Sequence, residues 1–90
     1  MVDVVLYGPV RETVGQKTLS ADGDTVSAVL SALFAEYSGL ETAVLEGEEF
    51  RSEVNVLVDG RKIAAYDGLD TVLDGDETVQ ITAAMSGGDR

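Results

Sequence analysis

The chain has 90 residues, with seventeen acidic and six basic side chains, a formal net charge of −11, and neither cysteine nor histidine. These absences exclude disulfides, thiolate metal sites and every Ser–His or Cys–His catalytic pair, so we expect no catalytic residues, no bound metal and no enzyme activity. The acidic balance disfavours nucleic acid and anionic membranes as partners. Without a signal peptide or a long apolar run, one small cytoplasmic domain is expected.

The N-terminal part of the chain predicts two short strands that pair as a hairpin. Residues 2–7 are β-prone and alternate in hydropathy, and residues 8–9, Gly-Pro, end the run. Residues 10–15 would form the connection to a second strand over 16–21. The inward face of the first strand would consist of Val2, Val4 and Leu6.

A helix over residues 25–37 is the clearest predicted element. After a turn at 22–24, the side chain of Asp24 or Thr25 can accept hydrogen bonds from the first exposed amides, and Gly39 suits the left-handed residue that ends a helix. We assign its apolar stripe to the core rather than to a docking surface. The stripe consists of Val26, Val29, Leu30, Leu33, Phe34 and Tyr37.

The C-terminal half predicts three more strands. A short helical turn at 40–45 and a solvated acidic loop at 46–49 come first; the loop lacks the alternating oxygen ligands of a calcium site. Residues 53–58 form a strong strand, joined by the turn Asp59-Gly60 to a short strand over 61–64. After apolar anchors at 69–73 and a turn at 74–76, the last strand covers 78–83.

This order of elements predicts an α+β fold of the ubiquitin-like β-grasp type. The helix must cover one face of a mixed sheet of about five strands to bury its stripe. The first and last strands would then be neighbours at the centre of the sheet. We place the folded domain at residues 1–84 and a flexible diglycine tail, with a two-residue extension, at 85–90.

The paired glycines Gly87-Gly88 allow two interpretations. Glycine has the largest entropy cost of ordering and no side chain to bury, so a diglycine suits a thin tail that enters a partner's cleft. A frayed polar terminus is the alternative.

The negative charge also allows two interpretations. Either the protein binds a partner with a basic surface, or it is halophilic, since high salt screens self-repulsion. Lysine occurs only as Lys17 and Lys62, while Asp, Thr, Val and Gly are abundant, which favours the halophilic interpretation.

Four stretches resemble the β-grasp sulfur carriers and ubiquitin-like modifiers, a family that includes the small subunit of molybdopterin synthase, the thiamine sulfur carrier and the small archaeal modifiers. Residues 7–15 are similar to its aromatic-x-x-x-Arg-Glu-x-x-Gly segment, and residues 54–60, VNVLVDG, to its VNVLVNG strand and turn. Residues 69–79, LDTVLDGDETV, are similar to its LDTPLKDGDEV segment. Gly87-Gly88 matches the terminal diglycine.

The resemblance implies chemistry performed on this protein by other enzymes. An ATP-dependent activating enzyme would adenylate the carboxylate of Gly88, and Gly87 would add no side chain next to it. The activated glycine would then receive sulfur or be joined to target lysines. The chain itself would bind no cofactor; the ATP is used by the activating enzyme. Tyr7, Arg11 and Leu57 match positions near the surface that faces this enzyme, with sheet packing or a loop ion pair as alternatives.

Two differences from the family pattern leave the function open. Residues 82–88 lack the family's aromatic and prolines, which makes this segment less stiff and disfavours docking to a standard molybdopterin synthase large subunit. Asp89 and Arg90 follow Gly88, so a protease, with a metalloprotease as one candidate, would have to cut between Gly88 and Asp89. A dedicated molybdopterin synthase subunit and a non-conjugating interaction module are therefore alternatives, and Lys17 and Lys62 are candidate linkage sites.

Overall fold

A five-stranded mixed sheet packed against helices forms the frame of the molecule in the computed structural model, which describes residues 1–47 and 49–83. The seven strands are β1 Val2–Leu6, β2 Thr18–Ala21, β3 Leu45–Glu46, β4 Glu49–Phe50, β5 Val54–Val58, β6 Arg61–Lys62 and β7 Thr78–Ala83. The α-helices are α1 Gly8–Val14, α2 Val26–Glu36 and α3 Leu40–Val44, and two 3-10 turns cover Ile63–Ala65 and Gly68–Asp70. The domain boundary predicted after residue 84 lies outside the described residues.

The strand order of the main sheet is β2-β1-β7-β5-β6. β1 and β7 are parallel, with Asp3 opposite Thr78 and Leu6 opposite Ile81, and the other neighbours are antiparallel. The prediction that the first and last strands meet at the centre of the sheet is confirmed.

The core lies between the sheet and α2. Alternate residues of the strands are buried, because successive side chains of a strand point to opposite faces. α2 begins where predicted, since the Thr25 hydroxyl accepts a hydrogen bond from the Ala28 amide at 3.1 Å. Each fully buried Val or Leu contributes roughly 1.5–3 kcal/mol. The core residues on α2 are Val26, Val29, Leu30 and Leu33, and Phe34 and Tyr37 pack against them half-buried.

The prediction that residues 10–15 form a plain connection is wrong, because Gly8–Val14 form the helix α1. Pro9 occupies the first turn, where its missing amide costs nothing and its fixed φ suits a helix. Val10 is fully buried, and α1 contacts α3 and β7. A helix this short is not stable alone, so packing rather than local propensity forms it.

Three smaller predictions also need correction. Gly39 is left-handed as expected, with φ of 91°, but it precedes α3; α2 already ends at Glu36. Glu46 and Glu49, expected in a solvated loop, pair with each other in a small hairpin in which Leu45 pairs with Phe50. The strand predicted over 61–64 ends at Lys62, because Ile63 turns into the core as a 3-10 turn begins.

The turn before β7 is held by the carboxylate of Glu77. This group accepts hydrogen bonds from the Asp74 amide at 2.9 and 3.0 Å and from the Gly75 amide at 3.0 Å. Hydrogen bonds to the charged form, that from Asp74 above all, lower the pKa of Glu77 below its usual 4.5. The ionised carboxylate therefore stabilises the turn that delivers β7 to the sheet centre.

We expect Glu77→Gln to destabilise the protein at neutral pH. Because the folded pKa is the lower one, the stabilisation is present above about 4.5 and is lost as the pH falls through the folded value. The gap in unfolding free energy between wild type and Glu77→Gln should therefore close in acid, as measured by urea unfolding over a pH series. Glu12→Gln is the control, since Glu12 is exposed and accepts no hydrogen bond within the described residues. A gap that is constant with pH would contradict this role.

Within residues 1–47 and 49–83 the acidic side chains are largely unpaired. The ion pair found there joins the Met1 amino group to Asp22 at 3.7 Å, and both groups are exposed. A pair of this kind contributes little. The net charge of −11 therefore acts mainly as self-repulsion across the surface.

We expect salt to stabilise the fold. Raising KCl from about 0.1 M to about 1 M shortens the screening length from about 10 Å to about 3 Å, which should raise the melting temperature by at least about 4 °C, or about 1 kcal/mol for a domain of this size. The double variant Asp67→Asn/Asp70→Asn, which removes two exposed carboxylates, should show a smaller rise. A melting temperature that is flat or falls with KCl, measured by circular dichroism, would refute the halophilic interpretation.

Candidate functional site

The last strand, β7, leads directly to the residues that the sequence assigns to the functional tail. It lies between β1 and β5, so the chain leaves the sheet from its centre, and Ala83 is the final residue of the strand. Gly87, Gly88, Asp89 and Arg90 lie outside the described residues. The activated glycine and the cleavage site therefore stay predictions.

Tyr7 lies against the end of β7. Its backbone amide donates to the Ile81 carbonyl at 3.0 Å, which adds one hydrogen bond to the β1–β7 ladder. Its hydroxyl accepts from the Gln80 side-chain amide at 3.3 Å, and 38% of its surface is exposed. Tyr7 is thus on the sheet face opposite the core.

A row of side chains crosses this outward face. Val5 pairs with Gln80, Gln80 with Leu57, and Leu57 with Lys62, so four strands contribute one residue each. The predicted residues Tyr7 and Leu57 are therefore on one surface, with Gln80 between them. Sequence reasoning missed Gln80, although its position between the inward residues Val79 and Ile81 already indicated an outward side chain. We call Tyr7, Gln80, Leu57 and Lys62 the outer patch.

The outward face is poor in acidic residues. Its positions on β1, β2, β5 and β7 are Asp3, Val5, Thr18, Ser20, Asn55, Leu57, Thr78, Gln80 and Thr82. Asp3 is the one carboxylate among them, in a chain with seventeen acidic residues. A partner can therefore approach this face against less repulsion than elsewhere, and Lys62 adds a positive charge at its edge.

Arg11 is not on the outer patch. It lies in the last turn of α1, exposed, where a positive charge is favourable near the helix C-terminus. Among residues 1–47 and 49–83 it forms no ion pair. A partner contact of Arg11 stays a prediction.

An open groove of about 540 Å³ lies between α1 and α3. Ala83 is part of its wall, so the groove adjoins the point where β7 ends. The Arg51 Nε donates to the Thr42 carbonyl at 2.8 Å, which joins the segment before β5 to α3. The residues that line the groove include Pro9, Thr13, Thr42, Arg51, Glu53 and Ala83.

The two candidate linkage lysines are both exposed, at opposite edges of the sheet. Lys17 precedes β2, and its carbonyl accepts from the Leu6 amide at 2.7 Å. Lys62 is on β6, opposite Leu57. Their use as linkage sites stays a prediction.

Two kinds of feature are absent from the part of the chain that the structure describes. No group of three or more acidic side chains there is arranged to hold a metal ion. No helix there has both the length and the apolar run needed to cross a bilayer.

The central parallel pair of strands, with α2 packed across the sheet, defines a ubiquitin-like β-grasp protein. The chain belongs to the ThiS family, whose model matches residues 4–88. The matched region covers the whole sheet beyond Asp3 and extends through the diglycine.

Named relatives cover nearly the whole chain. Small archaeal modifier protein 3 of Haloferax volcanii is 38% identical over 90 residues, covering 97% of this chain and 98% of that protein. The sulfur carrier protein CysO of Mycobacterium tuberculosis is 35% identical over 79 residues, covering 84% of this chain and 85% of that protein. The solution structure of small archaeal modifier protein 1 from Methanosarcina acetivorans superposes with a TM-score of 0.85 at 29% identity, covering 97% of this chain and 95% of that one.

Proposed function

We propose that the protein is a ubiquitin-like modifier and sulfur carrier whose C-terminal glycine, Gly88, is activated by an ATP-dependent enzyme. The observation that supports this most is the family match, because it spans residues 4–88, from β1 through the diglycine. Relatives named as a modifier and as a sulfur carrier support both uses of the same activated end.

The chemistry follows from the poor reactivity of a carboxylate. Its oxygen would attack the α-phosphorus of ATP, pyrophosphate would leave, and the glycine would become an acyl-adenylate with AMP as a good leaving group. A sulfur nucleophile or a lysine amine would then attack the carbonyl carbon and expel AMP. Gly87 and Gly88 present no Cβ, so the attacked carbon is unhindered.

Activation requires prior removal of the residues that follow Gly88. While Asp89 and Arg90 are attached, the Gly88 carbonyl is part of an amide and has no free carboxylate to adenylate. A protease that cuts between Gly88 and Asp89 would therefore control entry into the pathway.

The outer patch is the surface we assign to the activating enzyme. It includes Gln80 on β7, the strand that leads to the tail, so a partner bound there would hold the tail near its own active site. Its half-buried Leu57 provides an apolar contact, and the lack of carboxylates around it lowers the cost of approach.

We expect a chain trimmed to end at Gly88 to support ATP–pyrophosphate exchange with the activating enzyme of its own cell. The chain ending at Arg90 and a chain ending at Ser86 should support no exchange, because neither has a free carboxylate at Gly88. Exchange is followed with labelled pyrophosphate, at a salt concentration at which the same enzyme activates a substrate protein used as positive control. No exchange by the trimmed chain under those conditions would refute the proposal.

The mass of the native C-terminus separates the possible uses. A thiocarboxylate at Gly88 would demonstrate sulfur transfer, and a diglycine remnant on target lysines would demonstrate conjugation. Co-purification with a molybdopterin synthase large subunit, and restored cofactor synthesis in a deficient strain, would indicate a dedicated subunit. A chain that always ends at Arg90 would favour a non-conjugating interaction module.

We expect Leu57→Asp to weaken binding to the activating enzyme by at least about ten-fold, or about 1.4 kcal/mol, because it places a carboxylate at the centre of the outer patch. Val72→Asp is the matched control: Val72 is apolar and 68% exposed, and it lies outside the five strands of the sheet. The dissociation constant of the trimmed chain, measured by titration calorimetry, tests this. Equal effects of the two substitutions would show that the patch is not the docking surface.

A further inference from the structure

Gly8 makes an unusually close approach to the end of the last strand. It begins α1 with φ of +64°, a conformation that side chains rarely adopt. A Cβ added at this position would lie 2.8 Å from the carbonyl oxygen of Ala83, closer than non-bonded carbon and oxygen atoms come. The absence of a side chain at Gly8 therefore lets the Ala83 carbonyl lie against the backbone of this turn.

This contact acts on the first peptide bond of the tail. The Ala83 carbonyl shares a plane with the nitrogen of Ala84, because the peptide bond is planar. The position of the oxygen therefore fixes the plane of the peptide bond that follows β7. One residue earlier in the same turn, the Tyr7 amide donates to the Ile81 carbonyl at 3.0 Å. The turn thus contacts the end of β7 at two carbonyl groups, those of Ile81 and Ala83.

We propose that Gly8 is a positioning residue for the C-terminal segment, and that its missing side chain sets the exit direction by which Gly88 reaches the activating enzyme. The effect on activation rests on the proposed function. The effect on the end of β7 does not, and it can be measured on the protein alone.

A second glycine allows the effect of backbone conformation to be separated from the contact. Gly68 has nearly the same φ, +61°, but a Cβ added there would meet nothing within 4 Å. Gly68→Ala therefore introduces the same unfavourable backbone conformation without displacing a neighbour. Because Gly8 also precedes Pro9, which restricts it further, stability alone does not test the proposal, and every comparison is made on folded protein.

The enzyme-free experiment compares backbone amide NMR shifts of G8A and G68A in the full chain. We expect G8A to move the amides of Tyr7, Ala83 and Ala84. Hydrogen exchange of the Tyr7 amide should also speed up by at least about ten-fold, since moving the end of β7 lengthens the hydrogen bond from this amide to the Ile81 carbonyl. G68A should leave these amides unchanged. Equal shifts in the two variants, or none in G8A, would overturn the proposal.

The kinetic experiment uses the same variants trimmed to Gly88 in the pyrophosphate-exchange assay. Because displacements near 1 Å remote from the chemistry can cost about 100-fold in rate, we expect kcat of G8A to fall by at least ten-fold, with KM within about two-fold because the outer patch is intact. G68A should match wild type in both constants. A fall in G8A that lies in KM alone, or is equal in G68A, would overturn the role in activation.

The two failures are distinguishable. If trimmed wild type supports no exchange, the proposed function fails while the NMR comparison still tests the position of Ala83. Should G8A not fold, Gly8→Asn and Gly68→Asn replace the alanine pair, because asparagine tolerates positive φ better while still adding a Cβ. A folded Gly8→Asn with wild-type shifts at Ala83 and Ala84 would overturn the proposal.

Discussion

The parallel pairing of β1 with β7 is the contact on which the rest of the fold depends. It joins residues as distant in sequence as Tyr7 and Gln80, 73 positions apart, so the loop entropy of nearly the whole chain is lost when it forms. Parallel neighbours cannot be joined by a tight turn, and the intervening helices and strands serve as the crossover. The buried stripe of α2 offsets this entropy by covering the paired strands with apolar surface.

The two faces of the sheet have different physical character. On the inner face the alternation of Val, Leu and Ile builds the core. On the outer face the same alternation places Thr, Ser, Asn, Gln, one Val and one Leu, with Asp3 as the single carboxylate in so acidic a chain. The charge is therefore concentrated on the helices and turns, and the outer patch is left as the surface that a partner can contact with little electrostatic cost.

Sequence periodicity predicted the elements that bury a repeated pattern. α2 and β7 were found because each presents several apolar residues at one spacing, and Thr25 and the Asp59-Gly60 turn are local signals with a local cause. α1 was missed because Val10 alone is fully buried there, and seven residues do not form a helix without the neighbours α3 and β7. The β3–β4 hairpin was missed because two residues per strand give no readable alternation.

The sequence by itself determined the class of fold, the buried face of the first strand, the diglycine and the two residues after it. These are local properties, since the period of a strand or helix and the chemistry of a terminus are contained in neighbouring residues. Only the tertiary structure decided that Tyr7, Gln80, Leu57 and Lys62 share one patch, because the register between strands is set by packing across the chain. It alone also brought Gly8 against Ala83, since the missing side chain matters only where a distant carbonyl occupies its place.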